Sequence, residues 1–100
     1  MCFIKIKKLL GFELTAEEYC ELGNKGSNYE SALKNVNKAI ELKPDFALAY
    51  FIRGGIKTGK MLTTDSYTEE HLRLRESIYQ DILKASKLGL PEAIEFLKQQ

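Results

Sequence analysis

Apolar residues recur at three- and four-residue steps along most of this chain, and no stretch alternates apolar and polar residues for long. That period belongs to helices with one buried face rather than to strands. Tyr29, Ala32, Leu33, Val36, Ala39, Ile40 and Leu42 make the clearest stripe. Leu72, Leu74, Ile78, Ile82, Leu83 and Ala85 make another, inside a long helix predicted from about Tyr67 to Leu88. Between them, Phe46-Ala-Leu-Ala-Tyr-Phe-Ile52 is apolar all round. This predicts a helix from about Phe46 to Thr58 that is covered on several sides or lends one side to a ligand.

Polar residues, glycines and prolines set the ends. Thr15-x-x-Glu18, Ser27-x-x-Glu30 and Ser66-x-x-Glu69 each fit a capping box, in which hydroxyl and carboxylate satisfy each other's orphan amides. Gly23 and Gly26 are expected to stop the first helix, Pro44 to close the second, and Asp45 to cap the third. Gly89 suits the end of the long helix, and Pro91 the start of a short last one reaching about Lys98. The fold is predicted to be all-α, built of antiparallel helical hairpins.

One phrase is written twice. Ala16-x-x-Tyr19-x-x-Leu22-Gly23 recurs as Ala47-x-x-Tyr50-x-x-Arg53-Gly54, 31 residues on. A small residue, an aromatic and a glycine at fixed helical spacing indicate one structural unit used again. Tyr29, Ala32, Val36, Ala39 and Pro44 complete the first unit, and Ile78, Ile82 and Ala85 the second. On these residues the chain resembles the tetratricopeptide repeat family, whose unit is a helix–turn–helix of about 34 residues. The resemblance divides the chain into an N-terminal segment (1–14), a first repeat (15–44), a second repeat with an insertion near 60–72 (45–88) and a capping helix (89–100). It departs from the family in two places. Gly23 and Tyr29 stand too close together, which implies a first helix about one turn short. Gly54 and Ile78 stand about 12 residues too far apart, which implies a longer loop or about three further turns. Three repeats are normally needed to cover the apolar faces. Here the N-terminal segment, the insertion or a second copy must complete the cover.

The resemblance also implies a concave groove lined by the first helices of successive repeats, which binds a peptide or helix of a partner protein. Its register places Glu17, Cys20 and Asn24, then Leu48, Phe51, Gly55 and Thr58, along that groove. Leu48, Phe51 and Asn24 would form its floor, with Leu48 and Phe51 as the apolar part and Glu17 at an acidic end. The basic clamp by which one branch of the family holds chaperone C-termini is not expected, because Leu48 and Ile52 stand where it needs cations.

Composition narrows the alternatives. The 15 basic and 14 acidic side chains nearly cancel, which gives no footprint for nucleic acid. Cys2 and Cys20 are too few for a disulfide scaffold and read as reduced thiols of a cytoplasmic protein. No apolar run has the roughly 20 residues of a membrane span. Met1 to Leu10 mixes apolar residues with Lys5, Lys7 and Lys8. It is expected to pack on the domain, the alternative being a membrane-surface contact through Phe3, Ile6 and Leu10.

Candidate chemistry is sparse. Gly54-x-x-x-x-Gly59-Lys60 approaches a phosphate-binding loop, but Met61 replaces the required Ser or Thr and no strand precedes it. His71 is the single histidine and has no clustered ligands in sequence, so no metal site is expected. Glu13, Glu17, Glu18 and Glu21 read as a solvated acidic face. The expectation is a non-enzymatic protein-binding module with no cofactor. Self-association as a homodimer and membrane-surface attachment stand as alternatives.

Overall fold

A computed structural model describes residues 3–100. The expectation for Cys2 falls outside them. Among the described residues there are six α-helices and no strand: α1 (Phe3–Leu10), α2 (Ala16–Lys25), α3 (Tyr29–Leu42), α4 (Ala47–Met61), α5 (Glu69–Lys87) and α6 (Pro91–Lys98). None of the described helices is long and apolar enough to cross a membrane. Helices α2 and α3 form one hairpin, α4 and α5 another, and α6 packs on α5. Both α2 and α3 also touch α4, so the two hairpins stack through that helix.

The shortest dimension is 21 Å, about two helix diameters. Few side chains can be fully enclosed at that thickness, and small ones dominate the contact lines. One cluster joins Ala16 and Cys20 of α2, Val36 and Ala39 of α3, and Ala49 of α4. The other joins Ile78, Ile82 and Ala85 of α5 to Ala93 of α6, with Tyr50 and Phe51 packed against it. Gly23 lies inside α2, where an added Cβ would stand 3.0 Å from the Ala32 carbonyl oxygen and 3.2 Å from the Val36 Cβ. The hairpin therefore closes on that glycine, and α2 runs through it to Lys25 instead of stopping there. At Pro44 the Tyr50 hydroxyl donates to the proline carbonyl at 3.0 Å, tying the α3–α4 turn to α4.

The caps differ from expectation in three of four places. The Thr15 box forms: Glu18 N–H donates to Thr15 Oγ1 at 3.1 Å, and Thr15 N–H to Glu18 Oε1 at 2.9 Å. Helix α3 is capped by Asn28, not Ser27, through Ser31 N–H to Asn28 Oδ1, because the extended Gly26 carries the turn one residue further. Helix α5 is capped by Thr68, not Ser66. Asp65 Oδ1 accepts from Tyr67 N–H, and this local turn delays the helix start. Phe46, not Asp45, precedes α4 and gives no side-chain cap.

The extra residues expected between Gly54 and Ile78 fall in three places: a last turn of α4 reaching Met61, a loop over 62–68, and the early turns of the 19-residue α5. Leu72 of the predicted stripe is exposed there, while Ile78, Ile82 and Ala85 are buried. Helix α5 ends in a Schellman motif. Gly89 has φ +96, its N–H donates to the Ser86 carbonyl, and Leu90 N–H donates to the Ala85 carbonyl.

Candidate functional site

A groove of about 770 Å³ opens between the end of α2, the start of α3 and one side of α4. Asn24, Gly26, Ser27, Asn28 and Tyr29 form one wall, at the turn that joins the first hairpin. The other wall is a strip of α4 in which Phe51, Gly55 and Gly59 succeed one another at single-turn spacing, flanked by Ile52 and Ile56. Gly23 and Ala32 lie at its base. A Cβ built on Gly55 or Gly59 meets nothing within 4 Å, so this strip of helix is bare.

Lys60 closes one end. Its Nζ lies 5.6 Å from the centre of the Tyr29 ring, a cation–π contact that bridges the two walls. Tyr29 and Lys60 also line a second depression of about 450 Å³, together with Glu30, Glu70 and Arg73. Burial, and then the charges of Glu30 and Glu70, push the Tyr29 phenol above its ordinary value. The groove is thus apolar along α4, amide- and hydroxyl-lined along the α2–α3 turn, and cationic at Lys60.

Of the seven residues expected to line the groove, the structure brings Asn24, Phe51 and Gly55 together there. Cys20 is a correction: it is 2% exposed and belongs to the core. Its position points into the wedge between α3 and α4, because Ala16, Cys20 and Gly23 form the line on which α2 is buried. Burial, and then Glu17, push its thiol above the ordinary range. The other three lie outside the groove lining. Glu17 is exposed and takes a hydrogen bond from Lys43 Nζ at 3.1 Å. Leu48 is 42% exposed. The Thr58 hydroxyl donates to the Gly54 carbonyl of its own helix at 2.8 Å. Phe51 is shared, since it also packs against the α5–α6 cluster.

The near match to a phosphate loop is a continuous stretch of α4, with Gly54 facing Ile82 of α5. His71 sits beside Thr64, Nδ1 to Oγ1 2.9 Å, and no cluster of metal-ligating side chains occurs among the described residues.

The most connected polar group escaped sequence reading. Asp81 of α5 is 4% exposed and receives Arg53 and Lys57 of α4. Arg53 also donates to Asn37 Oδ1 of α3, and Lys57 to Ser77 Oγ of α5. The signal was there: Arg53 and Lys57 are one turn apart on one helix, and Ser77 and Asp81 one turn apart on its antiparallel neighbour.

No protein-family model matches this chain. No curated protein and no solved structure matches it either.

Proposed function

We propose that this protein is a non-enzymatic interaction module of tetratricopeptide-like architecture, which holds a helical segment of a partner protein in the groove between α2, α3 and α4. The observation that carries the reading is the bare strip of α4. A Cβ added at Gly55 or Gly59 would meet nothing within 4 Å beyond the helix's own backbone, yet both stand on the groove wall in line with Phe51. Glycine inside a helix costs about 1 kcal/mol against alanine. Gly23 and Gly54 repay that cost through close helix contact; Gly55 and Gly59 have no such contact among the described residues. Helices approach to about 8–10 Å only where side chains at the crossing permit it. A partner helix laid on this strip would use the room, with Phe51 as apolar anchor and Lys60 positioned for an acidic side chain. The free, buried Cys20 supports a cytoplasmic setting, where thiols stay reduced.

The test is capture from lysate of the cells that make the protein, comparing the natural chain with Gly55→Leu, Gly59→Leu. Both substitutions point into open space and favour the helix. A partner held by the natural chain and lost by the filled variant supports the module; the same proteins held by both removes it.

A second reading rests on Leu72 and Tyr79, exposed apolar side chains that line one depression on α5, and on exposed Phe96 of α6. Stacking of two chains there would make a homodimer. A sedimentation mass of one chain at micromolar concentration excludes it.

A further inference from the structure

We infer that α1 is a contact helix for lipid surfaces bearing anionic headgroups. The expected packing of the N-terminal segment on the domain is only partly realised. Ile4 is buried, as is Leu14 just beyond the helix. Lys7 Nζ lies 2.8 Å from Glu18 Oε2 on α2. These contacts fix one side of α1 against the domain. The opposite side is apolar and open: Ile6, Leu9, Leu10 and Phe12 are all exposed, Leu9 at 86%.

The arrangement is ordered. At about 100° per residue, Ile6, Leu9 and Leu10 fall within one arc of roughly 100°. Lys5 stands about 40° beyond one edge of that arc and Lys7 about 60° beyond the other, while exposed Lys8 lies farther round the helix, between Lys5 and buried Ile4. Lys5 and Lys8 have no acidic partner among the described residues. The helix also has a built stop. Gly11 at φ +81 completes a Schellman motif, with Phe12 N–H on the Lys7 carbonyl at 2.8 Å and Gly11 N–H on the Lys8 carbonyl at 3.2 Å. Phe12, just beyond that stop, is exposed as well.

A convex apolar arc edged by lysines suits an interface that is planar, apolar below and anionic above. Such a helix lies in the headgroup layer, its lysine stems reaching up to the phosphates. Each lysine near an anionic surface contributes on the order of fivefold in binding. A protein groove would have to match the arc's shape, whereas a lipid surface has only to match its polarity and charge.

The test is flotation of the whole protein with vesicles of phosphatidylcholine alone, and with vesicles that also contain phosphatidylserine. The natural chain is expected to float with the anionic vesicles and to be released by salt. Lys5→Gln, Lys8→Gln should weaken binding roughly 30-fold. Leu9→Asp, Leu10→Asp should abolish it, with circular dichroism and melting used to show that the α2–α6 domain stays folded, since both side chains are exposed. Gly55→Leu, Gly59→Leu should float like the natural chain, which separates this contact from the groove. Absence of flotation by the natural chain would overturn the inference, as would equal flotation of Leu9→Asp, Leu10→Asp. So would a dimer that this variant breaks without any vesicle binding, which would assign the arc to a second copy.

Discussion

Arg53 and Asp81 face each other across the α4–α5 pair, with Arg53 Nη2 2.7 Å from Asp81 Oδ1 and Nε 3.1 Å from both carboxylate oxygens. Lys57 Nζ reaches the same carboxylate at 2.9 Å. Removing one partner of a buried pair typically costs about 3–5 kcal/mol, because the other charge stays buried alone. The two partners are unequal here. Arg53 lost leaves Asp81 with Lys57; Asp81 lost leaves two cations facing each other. Asp81→Ala is therefore expected to cost about 3 kcal/mol and Arg53→Ala about half of that. Urea denaturation checks the order, and equal losses would mean that Lys57 adds nothing.

The glycines divide by what surrounds them. At Gly23 an added methyl meets the Ala32 carbonyl oxygen and the Val36 Cβ, so Gly23→Ala should destabilise by about 1–3 kcal/mol through overpacking. At Gly55 nothing stands in the way, so Gly55→Ala should stabilise by about 0.5–1 kcal/mol. Opposite shifts in melting temperature are the expected result.

Glu18 gives a pH dependence. The hydrogen bond from Lys7, and then that from the Thr15 amide, hold its carboxyl below the ordinary 4.5. Glu17 is likewise lowered, first by its own backbone amide and then by Lys43. A carboxyl lowered on folding contributes stability that is fully present above its unfolded value and is lost as pH falls through the folded one. Stability should therefore decline below about pH 4.5. In Lys7→Met the Glu18 resonance, followed by NMR, should titrate closer to 4.5. An unchanged midpoint would mean that Lys7 does not hold Glu18.

Cys20 should resist alkylation in the folded protein and react quickly in urea, followed at that site by mass spectrometry. Its burial, and a thiol pushed upward by that burial, both disfavour the reactive thiolate. Rapid labelling of the native chain would put Cys20 back at the surface.

The period of apolar residues was enough to read the helices, since Val36, Ala39, Ile78, Ile82 and Ala85 all fall on buried lines. Helix ends were less legible. Several hydroxyls and amides compete near each start, and Asn28 and Thr68 prevail over Ser27 and Ser66 because the preceding turns fix where the helix begins. The groove was legible in part. The resemblance put Asn24, Phe51 and Gly55 on it, but it also put Cys20 there, and Cys20 shares with Ala16 and Gly23 the line on which α2 is buried. Gly59 and Lys60 were visible as a faulty phosphate motif. Their place on the groove wall follows from α4 continuing to Met61, which local propensity with three glycines did not suggest. Asp81 escaped because a lone acidic residue in a long helix reads as solvated until its antiparallel neighbour is known.

The most direct test of the account replaces Ser27, an exposed residue on the groove wall, with a photo-crosslinking amino acid in cells that make the protein. The same probe at exposed Lys87 on α5 serves as control. A discrete protein adduct from position 27, absent from position 87 and lost when Gly55→Leu, Gly59→Leu fills the groove, is the predicted result. An adduct from position 27 that survives the filled groove would contradict it, as would the same adducts from both positions.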